Sequence, residues 1–302
     1  MSTYRIAGAA AVVAVGVLAF ASVASAAHVW GNSSGAYHWA RTANPFTLLL
    51  GDNVASVWDS YLRTASTDWT ASSVLDTTVV AGKAGRNCTA QTGRVEVCAK
   101  KYGKNGWLGI AQIWISGNHI TKGLVKMNDT YFTTSTYNKA SWRAMVMCQE
   151  IGHTFGLAHQ DENFYNPNLG SCMDYANDPA RNDGAGNNMH PNAHDYDVLE
   201  QIYAHLDTTT TVTQNLSSNN GRGRNGRFGN VLPFGTLNTF ELAVPEVQPF
   251  TIDLGDDPKN WGVEISRSVN GYASVFAKKV DGEQVLTHVF WADPREGEDH
   301  DH

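Results

Sequence analysis

One stretch constrains this chain more than any other: Cys148-Gln149-Glu150-Ile151-Gly152-His153-Thr154-Phe155-Gly156-Leu157-Ala158-His159-Gln160-Asp161. An α-helix repeats about every 3.6 residues, so a helix through it puts Gln149 and His153 one turn apart on one face, with Glu150 leaning over that face. Gly156 breaks the helix and lets the chain turn, bringing His159 back towards His153. Three convergent side chains and a carboxylate are what a catalytic zinc needs: three ligands, an open position and a general base. A lone Glu or His on a helix is ordinarily a surface group, but together at this spacing they fit that reading poorly. Gly152 costs about 1 kcal/mol in a helix interior, so a neighbour is expected to need the space.

The stretch resembles the extended zinc signature of the metzincin metallopeptidases, H-E-x-x-H-x-x-G-x-x-H. It matches at Glu150, His153, Gly156 and His159, while Gln149 stands where the family has its first histidine. Downstream, Ser171-Cys172-Met173-Asp174-Tyr175 is similar to the family's Met-turn. The resemblance, closest to matrixin- and snapalysin-like members, implies an α+β zincin-like catalytic domain. This would be a mixed, mostly parallel twisted sheet carrying an active-site helix and the Met-turn. It further implies a metalloendopeptidase acting on protein or peptide substrates. Zn2+ would be held by Gln149, His153 and His159, with Glu150 as general base. Met173 would underlie the metal, and Tyr175 would donate a hydrogen bond to the tetrahedral oxyanion. In that family a strand before the helix pairs with the extended substrate. Trp107 to Ile115 is the candidate, an ordinary core strand being the alternative.

An amide oxygen is a neutral, poorer zinc donor than imidazole, which leaves three outcomes at Gln149. It ligates directly, a carboxylate such as Asp161 completes the set, or the site is silent and the chain only binds peptides. A zinc amidohydrolase on a non-peptide substrate is a further alternative. Retention of Glu150 argues against silence, because a buried carboxylate with no task has only a desolvation cost. Asp161, Asp174, Asp178 and Asp183 crowd the following loops, where Asn, Asp and Gly favour turns. Calcium has oxygen ligands available there, but no recognised loop pattern supports it.

Four cysteines allow three connectivities. The expected pairs are Cys88-Cys98 and Cys148-Cys172. The second would staple the helix carrying Gln149 to the turn carrying Met173, stabilising by roughly 3 kcal/mol on a loop-entropy estimate. The competing role for Cys148, as the missing zinc ligand, places it about 100° off the ligand face.

Residues 1–26 read as a secretory signal: Arg5, an Ala/Val/Leu run and the small-residue site Ala24-Ser25-Ala26. The run is shorter than the ~20 strongly apolar residues of a membrane span. The even cysteine count suits an oxidising compartment, so a secreted monomer is expected, free of the membrane after cleavage. The formal charge of -7 and the lack of a long basic run argue against a nucleic-acid partner.

Periodicity predicts strands at Phe46 to Leu50, Val74 to Val80, Arg94 to Ala99, Trp107 to Ile115 and Lys122 to Met127. It predicts helices at Val54 to Leu62, from Asn138 or Ser141 to Phe155, and at Asn192 to Leu206. The expected organisation is a catalytic domain over 27–207, a flexible linker over 208–229 and a small β-rich C-terminal module over 230–295. An acidic, His-containing disordered tail over 296–302 would follow.

Overall fold

The computed structural model describes residues 28–213, 254–269 and 271–293. The signal segment 1–26, most of the expected linker, residues 230–253 of the C-terminal module and the tail lie outside the described residues. The elements are β1 (Gly31–Asn32), β2 (Gly35–Ala36), β3 (His38–Trp39), β4 (Phe46–Asn53), α1 (Ser56–Trp69), β5 (Leu75–Ala81), β6 (Gln91–Thr92), β7 (Val95–Lys100), β8 (Trp107–Ser116) and β9 (His119–Asn128). They continue with α2 (Ala140–His153), α3 (Ala193–Ile202), β10 (Val263–Arg267), β11 (Ala273–Val280) and β12 (Glu283–Trp291).

The fold is α+β around one mixed sheet of order β10-β11-β12-β8-β9-β7-β4-β5, onto which β3 and β6 also pair through β9. From β9 through β7 and β4 to β5 the pairs are parallel. From β9 outwards through β8, β12 and β11 to β10 they are antiparallel. Helices α1 and α2 pack on one face over a core that includes Trp58, Leu62, Trp69, Met145, Val146 and Ile151. A second cluster, with Trp107, Ile110, Trp114, Val285, Val289 and Trp261, covers the other face at the β8/β12 end. Strand β8 is therefore buried along its length up to Ser116, which explains its near-continuous apolar sequence.

The C-terminal strands join the main sheet instead of forming a sheet of their own. Strand β12 pairs with β8 from Gln284 to Trp291, so the edge assigned from sequence to an extended substrate is already filled by this chain. The first residues of the expected linker are also tied to the body. Thr211 N donates to Ala40 O at 2.9 Å, and Thr213 N to Gly93 O at 2.8 Å.

Close packing explains the glycines around α2. A Cβ on Gly152 would lie 2.7 Å from Met173 Sδ and from Trp69, so the space it leaves is taken by side chains. A Cβ on Gly109 in β8 would lie 2.9 Å from Glu150 Cγ, which seats α2 directly on the strand. Gly156 has φ +97°, and a Cβ there would lie 2.1 Å from Tyr37 O. Only glycine can make that turn.

Candidate metal centre

Helix α2 ends at His153, and the turn through Gly156 is fixed by the N-terminal segment. Trp30 N donates to Gly156 O, and Ala158 N to His28 O. This returns the chain so that His153 Nε2 and His159 Nε2 stand 3.0 Å apart. The other nitrogen of each ring is engaged: His153 Nδ1 with Leu157 O at 2.9 Å, and His159 Nδ1 with Glu162 Oε1 at 2.8 Å. A carbonyl and a carboxylate both require an N–H donor, so the Nδ1 atoms carry the protons. Burial, then the neighbouring His159, push the His153 imidazole well below its ordinary value. With both Nδ1 protons committed outwards, the two Nε2 atoms face each other at a separation that a shared proton or a shared metal cation satisfies. Outer partners on Nδ1 are also the usual mark of ligating histidines.

Gln149 lies one turn before His153 and is fully buried. Its Nε2 donates to Cys172 O at 2.8 Å, while its Oε1 has no hydrogen-bond partner. An orphaned buried carbonyl oxygen costs free energy unless something satisfies it. The carbonyl that orients it belongs to the Cys148–Cys172 bridge; the other disulfide joins Cys88 to Cys98. Met173 and Tyr175 follow in a turn held by Met173 N on Ser171 Oγ at 2.9 Å and Tyr175 N on Asp161 O at 3.1 Å.

Sequence reasoning missed the residue that closes the site. Alternation along β12 turns Leu286, His288 and Phe290 to the α2 face, and His288 is fully buried. Its Nδ1 lies 3.0 Å from Glu150 Oε2 and its Nε2 lies 3.1 Å from Tyr175 Oη. Its ring centroid is 4.0 Å from that of His153 and 4.7 Å from that of His159. Ligand nitrogens of His153, His159 and His288 all fall within 4.8 Å of one another. No motif marks His288, because it lies far downstream of His159 on a strand whose pattern reads as ordinary alternation.

Burial raises the Glu150 carboxyl well above the usual carboxylate range. Burial, then His153 and His159, push the His288 imidazole well below its ordinary value. Tyr175 is raised by burial, with Glu162 and Glu150 adding to it, so its phenol keeps its proton. The donor set, imidazole nitrogens with an amide oxygen and a carboxylate behind them, fits zinc better than calcium or magnesium, which favour oxygen ligands.

Most of the nearby carboxylates serve loops. Asp161 accepts from Asn163 N, Asp178 from Ala180 N, and Asp183 from Asn168 N and Arg181 Nε. His190 pairs with Asp68 at 2.7 Å, away from the centre. Asp174 is the exception. Its Oδ2 accepts from Leu169 N and Asn188 Nδ2, but its Oδ1 has no partner. Burial outweighs those two bonds, and Asp161 and Asp195 add repulsion, so its carboxyl is pushed from 3.8 up to about 6. A carboxyl whose folded value is raised contributes full stability below the unfolded value and loses it as pH climbs through the folded one. The cost above pH 7 is about 3 kcal/mol. Asp174→Asn keeps an acceptor for both donors. It is expected to raise the melting temperature by several degrees at pH 8 and by little near pH 4. An equal shift at both pH values would show that ionisation of Asp174 is not the cause.

No protein-family model matches the sequence, and no curated protein does. Among solved structures the chain is similar to myroilysin at 13% identity, over 55% of this chain and 96% of that one, with a TM-score of 0.33. A second myroilysin structure gives 14%, 61%, 97% and 0.32. High choriolytic enzyme 1, a hatching enzyme zinc-protease from Oryzias latipes, gives 11%, 58%, 98% and 0.33. Likeness at this level says nothing about activity, which has to come from the residues.

Proposed function

We propose that the chain is a secreted, metzincin-like zinc endopeptidase held latent by its own C-terminal strand. The observation that carries this reading is His288, hydrogen-bonded at one end to Glu150 and at the other to Tyr175. One imidazole thus fills the space between the intended general base and the intended oxyanion donor. The strand that delivers it occupies the β8 edge where an extended peptide would pair.

The residues that would hold zinc are His153 and His159 through Nε2 and Gln149 through Oε1. Three protein donors leave the open position a catalytic site requires, and in the closed form the His288 ring, with both nitrogens engaged by Glu150 and Tyr175, stands beside it. Bound zinc supplies Lewis acidity, which acidifies water and polarises a carbonyl.

The chain's own residues do the rest. With β12 withdrawn, the β8 edge pairs antiparallel with an extended substrate and lays its scissile bond across the end of α2. Glu150, released from His288 and with its Oε1 unpartnered, takes the proton from the attacking water and passes it to the leaving amine. Tyr175 Oη, released from His288, donates to the developing oxyanion. Met173 lies under α2 against Gly152 and keeps the floor dry. A non-peptide amide would use the same groups, but a long strand edge as the flanking surface favours an extended peptide.

The test is zinc content with activity. His153→Ala is expected to lose one zinc per chain and to abolish hydrolysis by the form lacking β12, as read by metal analysis and a quenched-peptide assay. Unchanged zinc at that centre would overturn the ligand assignment.

A further inference from the structure

A second cluster of imidazoles lies apart from the centre just described, at the meeting of three segments distant in sequence. His38 comes from β3, His119 opens β9, and His205 and Asp207 follow α3. The ligand atoms of His38, His205 and Asp207 all lie within 4.8 Å of one another, and His119 reaches this group through Asp207. His38 Nε2 is 3.2 Å from His205 Nε2, and His119 Nε2 is 3.2 Å from Asp207 Oδ1. Asp207 Oδ1 is also 3.5 Å from His38 Nε2 and 3.7 Å from His205 Nε2. Zinc with ligands at about 2.0–2.1 Å in a tetrahedron needs donor atoms about 3.3 Å apart, and the three separations among His38 Nε2, His205 Nε2 and Asp207 Oδ1 bracket that value. The two rings are splayed as separate ligands must be: His38 lies at 89° to His205.

The outer partners point the same way. His38 Nδ1 is bonded to Ala36 O at 2.8 Å, so the proton sits there and Nε2 is a bare acceptor. The Asp207 oxygen turned away from the cluster, Oδ2, takes Arg41 Nη1 at 2.8 Å and Arg41 N at 3.1 Å. That leaves Oδ1 for the imidazoles. Arg41 is itself buried and donates to the carbonyls of Tyr203 and His205 and to Asn44 Oδ1. Asp207 and Arg41 cancel in charge, so the two imidazoles of His38 and His205 and the carboxylate oxygen Oδ1 between them can accept a dication.

We infer that His38, His205 and Asp207 form a second zinc site, with His119 paired to Asp207 beside it. Its donors come from β3 and from the segment after α3, so its role is to tie those two together. That junction also supports the catalytic end of α2. Trp39 Nε1 donates to Thr154 O at 2.9 Å, and Tyr203 Oη to Phe155 O at 2.9 Å.

The test uses the full chain, zinc-loaded and dialysed, with zinc counted per chain. His153→Ala/His159→Ala disables the first centre and is expected to retain one zinc. Removing that zinc with a chelator should lower its melting temperature by about 5–10 °C. His205→Ala changes an exposed ring and is expected to lose one zinc while keeping the other. A folded His153→Ala/His159→Ala chain that holds no zinc and melts unchanged with chelator would overturn the site. So would a His205→Ala chain with undiminished zinc. Neither outcome depends on whether the first centre is a peptidase.

Discussion

A chain that stops after Thr213 is expected to hydrolyse extended peptides at least about 100-fold faster than the full chain. The size follows from the contacts that hold the closed form. Strand β12 pairs with β8 from Gln284 to Trp291, and Val285, Leu286, Val289 and Phe290 are buried on its two faces. Detaching it loses that ladder and that apolar contact. A cost of only about 3 kcal/mol already keeps the open form near 1% of molecules, since each 1.4 kcal/mol is tenfold. Removing the segment makes every molecule open. It also uncovers Trp107, Ile110 and Trp114, so the shortened chain needs low concentration or mild detergent. Residues 254–293 supplied as a separate peptide should silence it again. If the shortened chain folds but loses zinc and stays inactive, His288 is an obligatory ligand and the latency reading fails.

The second large effect belongs to Glu150. In the shortened chain, Glu150→Ala should lower turnover by about 10²–10⁴-fold, the range for a positioned general base, while zinc content stays the same. The carboxylate is fully buried against Gly109 and has one oxygen without a partner. A residue kept only for packing would show itself differently: Glu150→Ala would then reduce stability and leave the turnover of the folded fraction intact. Retained turnover with normal zinc would remove Glu150 from the chemistry.

The parts legible in the sequence were those with a strong local signal. The α2 face that presents Gln149, Glu150 and His153 follows from helical spacing, and the return to His159 from one glycine with φ +97°. Trp107 to Ile115 was readable as a strand because apolar residues run through it. The strands Gly31–Asn32, Gly35–Ala36 and His38–Trp39 were not, because two residues carry no periodicity. The positions of His288 and of the His38, His119, His205 and Asp207 cluster were illegible for another reason. Each depends on pairing between segments far apart in the chain: β12 on β8, β3 on β9, and the residues after α3 on β3. Such pairing is set by burial of whole strand faces, and single histidines on those strands look like ordinary alternation. The C-terminal strands could be recognised as strands, but their partner could not.

The most direct measurement is anomalous diffraction at the zinc edge from crystals of the zinc-loaded full chain. Density bonded to Nε2 of both His153 and His159, with Gln149 Oε1 completing the set, is the expected result. A map with no density between those two imidazoles would contradict it, because the 3.0 Å approach of the two Nε2 atoms would then be a hydrogen bond between the rings and not a shared metal.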